Sequence, residues 1–386
     1  MNQAAFFAPF IRGSLIERTG QHYLVRFLPT APVADGLTKL TISLDAAAED
    51  ESVVAQAISK ALEEYSAIPQ LVQLVIGQDE YTYAIAQSPS TIEAIAAGKV
   101  PDAEAPVVAS RATVMKNKVV VVTGGAQGFG AEIVRGLVAG DALVFVADLN
   151  LEGATKFTQE LNQEYHRTVA LPVAVNVADE SSVAAMIESI ALSAGGLDLC
   201  VSNAGVLRAS SILQQDMDSF RFVTDINYTA FAIITKHCAL LMKRQKAAAP
   251  SLLTDIIQIN SKSGLEGSNK NGSYAGGKFG SIGLVQSFAL ELVEYGIKLN
   301  AVCPGNFFDG PLWSDPEKGL FVQYLRTGKV PGAKTIADVK KFYEAKVPMN
   351  RGCYGEDVIR AVYYLVEQAY ETGQALPVTG GQVMLN

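Results

Sequence analysis

Histidine and cysteine are scarce in this chain of 386 residues: His22, His166 and His237 are the three histidines, and Cys200, Cys238, Cys303 and Cys353 the four cysteines. They are dispersed, with no CxxC pair, so neither a metal cluster nor a disulfide framework is expected and a reducing compartment fits better. Basic residues are in deficit as well. Lys and Arg number 31 against 39 Asp and Glu, a net charge of −8, which argues against nucleic acid or an anionic membrane as the main partner. No apolar run approaches the roughly 18 residues of a membrane span. The opening "MNQAAFFAPFIRGS" has no basic residue ahead of its apolar patch and is interrupted by Pro9, so no secretory signal is expected. Internal repeats and low-complexity tracts are absent too. The expectation is a soluble, cytoplasmic protein whose partner is a small molecule, not a nucleic acid or a membrane.

Apolar residues make up 49% of the chain, enough for a sizeable core, and the length exceeds one typical domain. Residues 1–112 read as a small α+β domain that includes its linker. "HYLVRFL", "LTKLTISL", "LVQLVIG" and "YTYAIAQ" have strand character, "ESVVAQAISKALEEYSAI" has helical spacing, and Ser90 is expected to cap a short helix at "TIEAIAAG". The segment "GKVPDAEAPVVASRATVMKNK" is rich in Pro, Ala and charge without periodicity and is placed as the linker. No chemical motif occurs in this part, and its role stays unassigned.

Residues 113–386 alternate steadily between continuous apolar strands ("VVVVT", "ALVFVA", "VALPVAV", "LDLCV", "IIQIN", "IKLNAVC", "ALPVTGG") and amphipathic helices. Strands apolar on both sides imply a parallel sheet covered on both faces. The fold class expected is α/β, a Rossmann-like doubly wound parallel sheet with the additional small N-terminal α+β domain.

Three constellations carry chemistry. The first, "VVVVTGGAQGFGAEI", puts Gly124, Gly128 and Gly130 between the first strand and its helix. Such a turn lets backbone approach a pyrophosphate at the positive end of a helix. The second is Asp148, at the carboxyl end of the next strand, "VFVADLN". A carboxylate there accepts the ribose hydroxyls of NAD and repels the extra phosphate of NADP. Ala126 and Gln127 offer that phosphate no positive charge, so NAD is the expected cofactor.

The third constellation is "INSKSGLEGSNKNGSYAGGKFG", with Ser261 thirteen residues before Tyr274 and Tyr274 four before Lys278. On a helix Tyr274 and Lys278 share a face, and an ammonium near a phenol favours the tyrosinate. An unperturbed tyrosine, with a pKa of about 10, is a poor base at neutral pH. Taken alone, a Tyr and a Lys at this spacing make an ordinary solvated helix face. The glycine loop and Asp148 give the pair its meaning.

With these motifs the chain from about residue 117 onward resembles the short-chain dehydrogenase/reductase family. "TGGAQGFG" resembles its glycine loop, "SNAG" its NNAG turn, and "TDINYTAF" carries the matching Asn227. The resemblance implies that Ser261 orients the substrate and Tyr274 exchanges its proton. It also implies that Lys278 holds the nicotinamide ribose while lowering the tyrosine pKa, and that Asn227 supports a water-linked proton relay. Carried over position by position, it assigns cofactor contacts to Thr123, Gly124, Gln127, Gly128, Phe129 and Gly130 in the loop. Further contacts fall to Asp148, to Asn176 and Val177 at the adenine, to Asn203, Ala204 and Gly205, and to Tyr274, Lys278, Pro304 and Gly305. Three departures stand out: Asn176 replaces the usual Asp, Ser202 replaces the first Asn of NNAG, and "NFFDGPLW" after Gly305 lacks the usual Thr.

A narrower resemblance, in "IIQINSKSGLEGS", "KVPMNRGC" and "TGGQVM", is to the branch of that family that interconverts sorbitol 6-phosphate and fructose 6-phosphate with NAD. It implies a sugar or polyol phosphate as substrate. Lys262 and Arg351 are then either phosphate anchors or ordinary surface charges. Two rivals stay open: a dehydrogenase of an unphosphorylated polyol or other carbonyl compound, and an NAD-sensing binding protein. The insert at 306–346, with Phe307, Phe308, Trp313 and Phe321, is equally a lid or a small core. The family resemblance further implies a homodimer or homotetramer. The N-terminal domain, lying outside the resemblance, is expected to be separable, so that its deletion leaves a folded dehydrogenase.

Overall fold

The computed structural model describes residues 2–32, 36–45, 50–101, 104, 107–108, 110–326, 328 and 330–384. The first part runs α1 (Gln3–Thr19), β1 (Leu24–Leu28), β2 (Lys39–Leu44), α2 (Glu51–Glu64), β3 (Leu71–Ile76), β4 (Asp79–Ala86) and α3 (Pro89–Ala96). Its four strands form one sheet in the order β1-β4-β3-β2, with β2 and β3 parallel and the other pairs antiparallel. The cap of α3 is Ser88 rather than the expected Ser90: its Oγ accepts the Thr91 N–H at 3.3 Å, and Pro89 takes the first helical position. The segment read as a linker lies partly outside the described residues. Where described it is pinned, with Val107 exchanging two hydrogen bonds with the Gln21 side chain.

From Val119 the chain alternates as expected: β5 (Val119–Thr123), α4 (Gly128–Ala139), β6 (Leu143–Asp148), α5 (Leu151–Glu164), β7 (Ala170–Ala174), α6 (Glu180–Ala194) and β8 (Leu199–Ser202). Then come α7 (Met217–Thr224), α8 (Ala230–Ala248), β9 (Thr254–Ile259), α9 (Gly272–Leu292) and β10 (Ile297–Pro304). Three short helices follow, α10 (Pro311–Ser314), α11 (Leu320–Arg326) and α12 (Ile336–Glu344), before α13 (Gly355–Glu367) and β11 (Ala375–Val378). The seven strands form one parallel sheet in the order β11-β10-β9-β8-β5-β6-β7. The order reverses between β5 and β8, and the crevice outside their carboxyl ends is where open α/β sheets bind ligands.

Each sheet face has its own core. Val120 and Val122 of β5 face α4, α5 and α13, whereas Val119 and Val121 face α6, α8 and α9. The second of these cores continues without a break into the N-terminal part, taking in Ala5, Leu24, Leu28, Leu71, Ala84 and Ile95. The N-terminal sheet therefore shares apolar packing with the seven-stranded half.

Candidate functional site

At the switch point the glycine loop leads directly into α4. Gly130 sits so close to the loop's start that a Cβ there would lie 2.0 Å from the Gly124 oxygen, and Gly124 and Gly128 have φ of 62° and 58°, so a side chain would obstruct the turn. Among the described residues the Gln127 side chain makes no capping bond at the N-terminus of α4, which leaves the helix's positive end facing the crevice. Thr123, fully buried, accepts the N–H groups of Asn203 and Ala204 on its Oγ1 at 3.1 and 3.2 Å. Asn203 donates its side-chain amide to the Thr123 and Gly124 oxygens at 3.1 and 3.0 Å, which joins the end of β8 to the loop. Asp148 closes the far side: its Oδ2 accepts the Ala126 N–H at 3.1 Å and its Oδ1 the Asn150 N–H at 3.0 Å. Beside it, the Val175 N–H reaches the Asp148 oxygen, bringing exposed Asn176 and buried Val177 to the same rim. A cradle that admits no side chain, an uncapped helix N-terminus and a carboxylate one strand away fit a dinucleotide.

The four expected catalytic residues come together at the carboxyl ends of β8, β9 and β10. Tyr274 and Lys278 share a face of α9, with the Lys278 Nζ 5.7 Å from the Tyr274 ring centroid. Lys278 is buried, donates to the Ile259 oxygen at 2.9 Å, and burial depresses its pKa to about 8. Tyr274 departs from expectation. Burial raises its pKa and outweighs the lowering by the adjacent Ser261 hydroxyl, because Lys278 faces the ring and a backbone carbonyl rather than the phenolic oxygen. Asn227 lies in a π-turn, Asp225–Thr229, between α7 and α8, a local widening that recurs at functional positions. Its Nδ2 donates to the Val206 and Val223 oxygens at 2.7 and 2.9 Å. Its buried Oδ1 has no partner among the described residues and points toward Gly205. A buried acceptor left open in this way suits a water at the site.

Pro304 ends β10 and Gly305 follows it, its N–H bonded to the Val378 oxygen at 2.9 Å. Beyond them Phe307 stacks on Phe129 of the glycine loop, ring centroids 4.4 Å apart. Phe308 points the other way, into a small core with Trp313, Phe321, Val330, Val339 and Val347. The insert is thus a compact helical unit tied to the cofactor loop by one aromatic stack. Lys262 and Arg351 are not brought together on one group. Lys262 pairs with Glu266 at 3.2 Å, while Arg351 forks onto Asp357 at 2.6 and 2.9 Å beside a cavity of about 380 Å³ that Thr379 and Gln382 also line. Sequence reasoning missed the Phe129–Phe307 stack, since the partners are far apart in the chain, and it missed Asn260, whose side chain ties β9 to α9.

A family model described as short chain dehydrogenase matches residues 118–313. Sorbitol-6-phosphate 2-dehydrogenase of Escherichia coli is 35% identical over 271 residues, which cover 69% of this chain and 99% of that protein. Cis-4-hydroxycyclohexanecarboxylate dehydrogenase of Sinomonas cyclohexanicum is 33% identical over 267 residues, 68% of this chain and 96% of that one. Among solved structures, sorbitol-6-phosphate 2-dehydrogenase from Erwinia amylovora superposes with a TM-score of 0.63 at 36% identity, covering 69% of this chain and 100% of its own. The chain belongs to the short-chain dehydrogenase family, oxidoreductases that act on CH–OH groups with NAD or NADP. Among the described residues no helix is long and apolar enough to cross a membrane.

Proposed function

We propose that the protein is an NAD-dependent dehydrogenase interconverting a polyol phosphate and a ketose phosphate, sorbitol 6-phosphate and fructose 6-phosphate. The observation that carries the substrate is the similarity to the E. coli sorbitol-6-phosphate enzyme along 99% of that enzyme's length. For the cofactor it is Asp148, whose carboxylate accepts ribose hydroxyls and repels a 2′-phosphate. The glycine loop, the α4 N-terminus, Asp148, Asn203–Gly205 and Pro304–Gly305 hold the dinucleotide. When bound, it supplies the hydride acceptor or donor. Tyr274 takes the hydroxyl proton as the carbinol is oxidised and returns it in the reverse direction. The Ser261 hydroxyl hydrogen-bonds the reacting oxygen and lowers the tyrosine pKa, Lys278 holds the nicotinamide ribose, and the open Asn227 Oδ1 receives a water that links Lys278 to solvent.

Lys262 is preferred as the phosphate anchor because it adjoins Ser261 and its pair with Glu266 is a single contact, whereas Arg351 has its fork filled by Asp357. The Sinomonas relative favours a second reading, an unphosphorylated hydroxy acid. The test compares sorbitol 6-phosphate, sorbitol and 4-hydroxycyclohexanecarboxylate with NAD and with NADP. One charge-assisted contact of about 1.5–3 kcal/mol gives a roughly ten- to hundredfold preference for the phosphorylated polyol, reduced by Lys262→Ala. Equal efficiency on sorbitol rejects the phosphate, and turnover of the hydroxy acid alone selects the second reading. The proposal extends to a cytoplasmic homo-oligomer, supported by exposed Phe279 and Leu290 on α9, and to a division of the chain at about residue 112.

A further inference from the structure

The residue before Ser261 makes more side-chain hydrogen bonds than any catalytic residue does. Asn260 follows the last residue of β9 and is 4% exposed. Its Nδ2 lies 2.8 Å from Gln258 Oε1, 3.0 Å from the Lys278 carbonyl oxygen and 3.1 Å from Ser281 Oγ, and shares its two N–H donors among these three acceptors. Its Oδ1 accepts the Ser261 N–H at 2.8 Å. One amide therefore holds the backbone of Ser261 on one side and the backbone of Lys278 on the other. Lys278 returns the bond, donating its Nζ to the oxygen of Ile259, the residue before Asn260. Ser281, fully buried, also donates to the Lys278 oxygen at 3.0 Å. The turn after Ser261 closes onto the same amide: a Cβ on Gly264 would lie 2.2 Å from Asn260 Oδ1 and 3.1 Å from the Lys278 oxygen. On the sheet side the Asn260 N–H donates to the Val302 oxygen at 2.7 Å.

We propose that Asn260 is a positioning residue for the reaction, setting the separation between the Ser261 hydroxyl at the end of β9 and the Tyr274–Lys278 face of α9. The inference rests on the reading of Ser261, Tyr274 and Lys278 as the reacting set. Ser261 and Tyr274 have to meet one substrate oxygen from two different elements, and a misplacement of about 1 Å at such a site costs on the order of a hundredfold in rate. Asn260 supplies in one side chain a donor for α9 and an acceptor for the Ser261 backbone, a combination that neither Ala nor Asp offers. The groups around Tyr274 are Lys278 on its own helix, with Nζ over the ring, Ser261 from the turn after β9, which hydrogen-bonds the phenol, and Cys303 from β10. The Ser261 hydroxyl is the group that lowers the phenol's pKa, and Asn260 holds the Ser261 backbone, so loosening it raises the pH at which Tyr274 ionises.

The test uses full-length Asn260→Ala and Asn260→Asp; the Asp variant keeps the acceptor toward Ser261 and removes the donor toward Lys278. Turnover is expected to fall about ten- to a hundredfold in both, with the dissociation constant for NAD within about threefold of wild type. A readout independent of substrate is tyrosinate absorbance titrated in the NAD complex, with Tyr274 assigned by subtracting the Tyr274→Phe trace. Its midpoint is expected to move upward by about half a unit or more. Unchanged turnover with an unmoved midpoint overturns the proposal, as does a loss of turnover matched by lost NAD binding. If wild type turns over none of the trial substrates, the substrate reading fails while the titration still decides Asn260. Should Asn260→Ala not fold, the same readouts on the near-isosteric Asp variant decide it.

Discussion

Tyr274 and Lys278 are both held against their own ionisation preferences, a conflict that clusters at functional sites. Burial raises the phenol and depresses the ammonium to about 8. Tyr274→Phe is expected to lose at least about a hundredfold in turnover while dinucleotide binding persists, since it removes a proton-transfer group and little packing; a variant retaining most of its activity would exclude that role. Lys278 has a stability consequence as well. Its folded pKa lies below the unfolded value of 10.5, so between about pH 8 and 10.5 the unfolded chain binds more protons and stability rises with pH. Below pH 8 the buried charge is a full cost, of order 3 kcal/mol. Lys278→Met should therefore abolish turnover yet raise the melting temperature near pH 7, with the gain fading toward pH 10; a uniform loss of stability across that range would refute the account. Asp148→Ser, at the cofactor rim, should weaken NAD and admit NADP, and a wild type already preferring NADP would contradict it. These residues were legible because chemistry fixes their spacing: a Tyr and a Lys four apart, and a carboxylate one strand beyond a glycine loop. Asn260 was not, because its partners lie in two separate segments and nothing local distinguishes it from a turn residue.

At the scale of elements, the parallel strands were readable because both their faces are buried, which leaves continuous runs such as Val119–Val122 and Leu143–Ala147. The helix α1 was not readable. It is buried on nearly every side from Ala4 to Ile16 and contains Pro9, so it shows neither an amphipathic period nor an uninterrupted pattern. The insert between β10 and α13 was read as equally a lid or a small core, and the structure gives it a core of its own around Trp313 as well as the Phe307–Phe129 stack onto the cofactor loop. Because Trp313 is the only tryptophan in the chain, its fluorescence reports on the insert. Phe307→Ala is expected to raise KM for substrate and dinucleotide together and to abolish any change in Trp313 emission on dinucleotide binding. Unaltered kinetics with an unaltered emission response would reduce the stack to simple packing.

The two sheets of the molecule are joined by a buried ion pair that neither half shows alone. Arg12 of α1 is fully buried; its Nε donates to the Tyr23 oxygen at 2.7 Å, and its guanidinium forks onto Asp198 at 3.0 and 2.7 Å. Asp198, at the foot of β8, also accepts the Val119 N–H of β5 at 2.7 Å. His22 Nδ1 lies 3.3 Å from its other oxygen. Burial alone would raise this carboxyl, yet Arg12 and His22 hold it well below the usual carboxylate range. Removing residues 1–112 would leave Asp198 as a buried charge without its cation and strip α6 and α8 of part of their apolar cover, which counts against the separability expected from the change in texture along the chain. Such packing leaves no local signature, since Arg12 reads as a single charge in an apolar stretch. Breaking a buried pair from one side costs about 3–5 kcal/mol, whereas replacing both partners with apolar groups is often close to neutral. Arg12→Leu is therefore expected to lower stability in denaturant titration by about that amount, and Arg12→Leu with Asp198→Leu to recover part of it, less the cost of leaving the Val119 N–H unpaired. If Arg12→Leu is as stable as wild type and residues 113–386 alone fold and bind dinucleotide, the N-terminal part is an appendage and the pair holds nothing together.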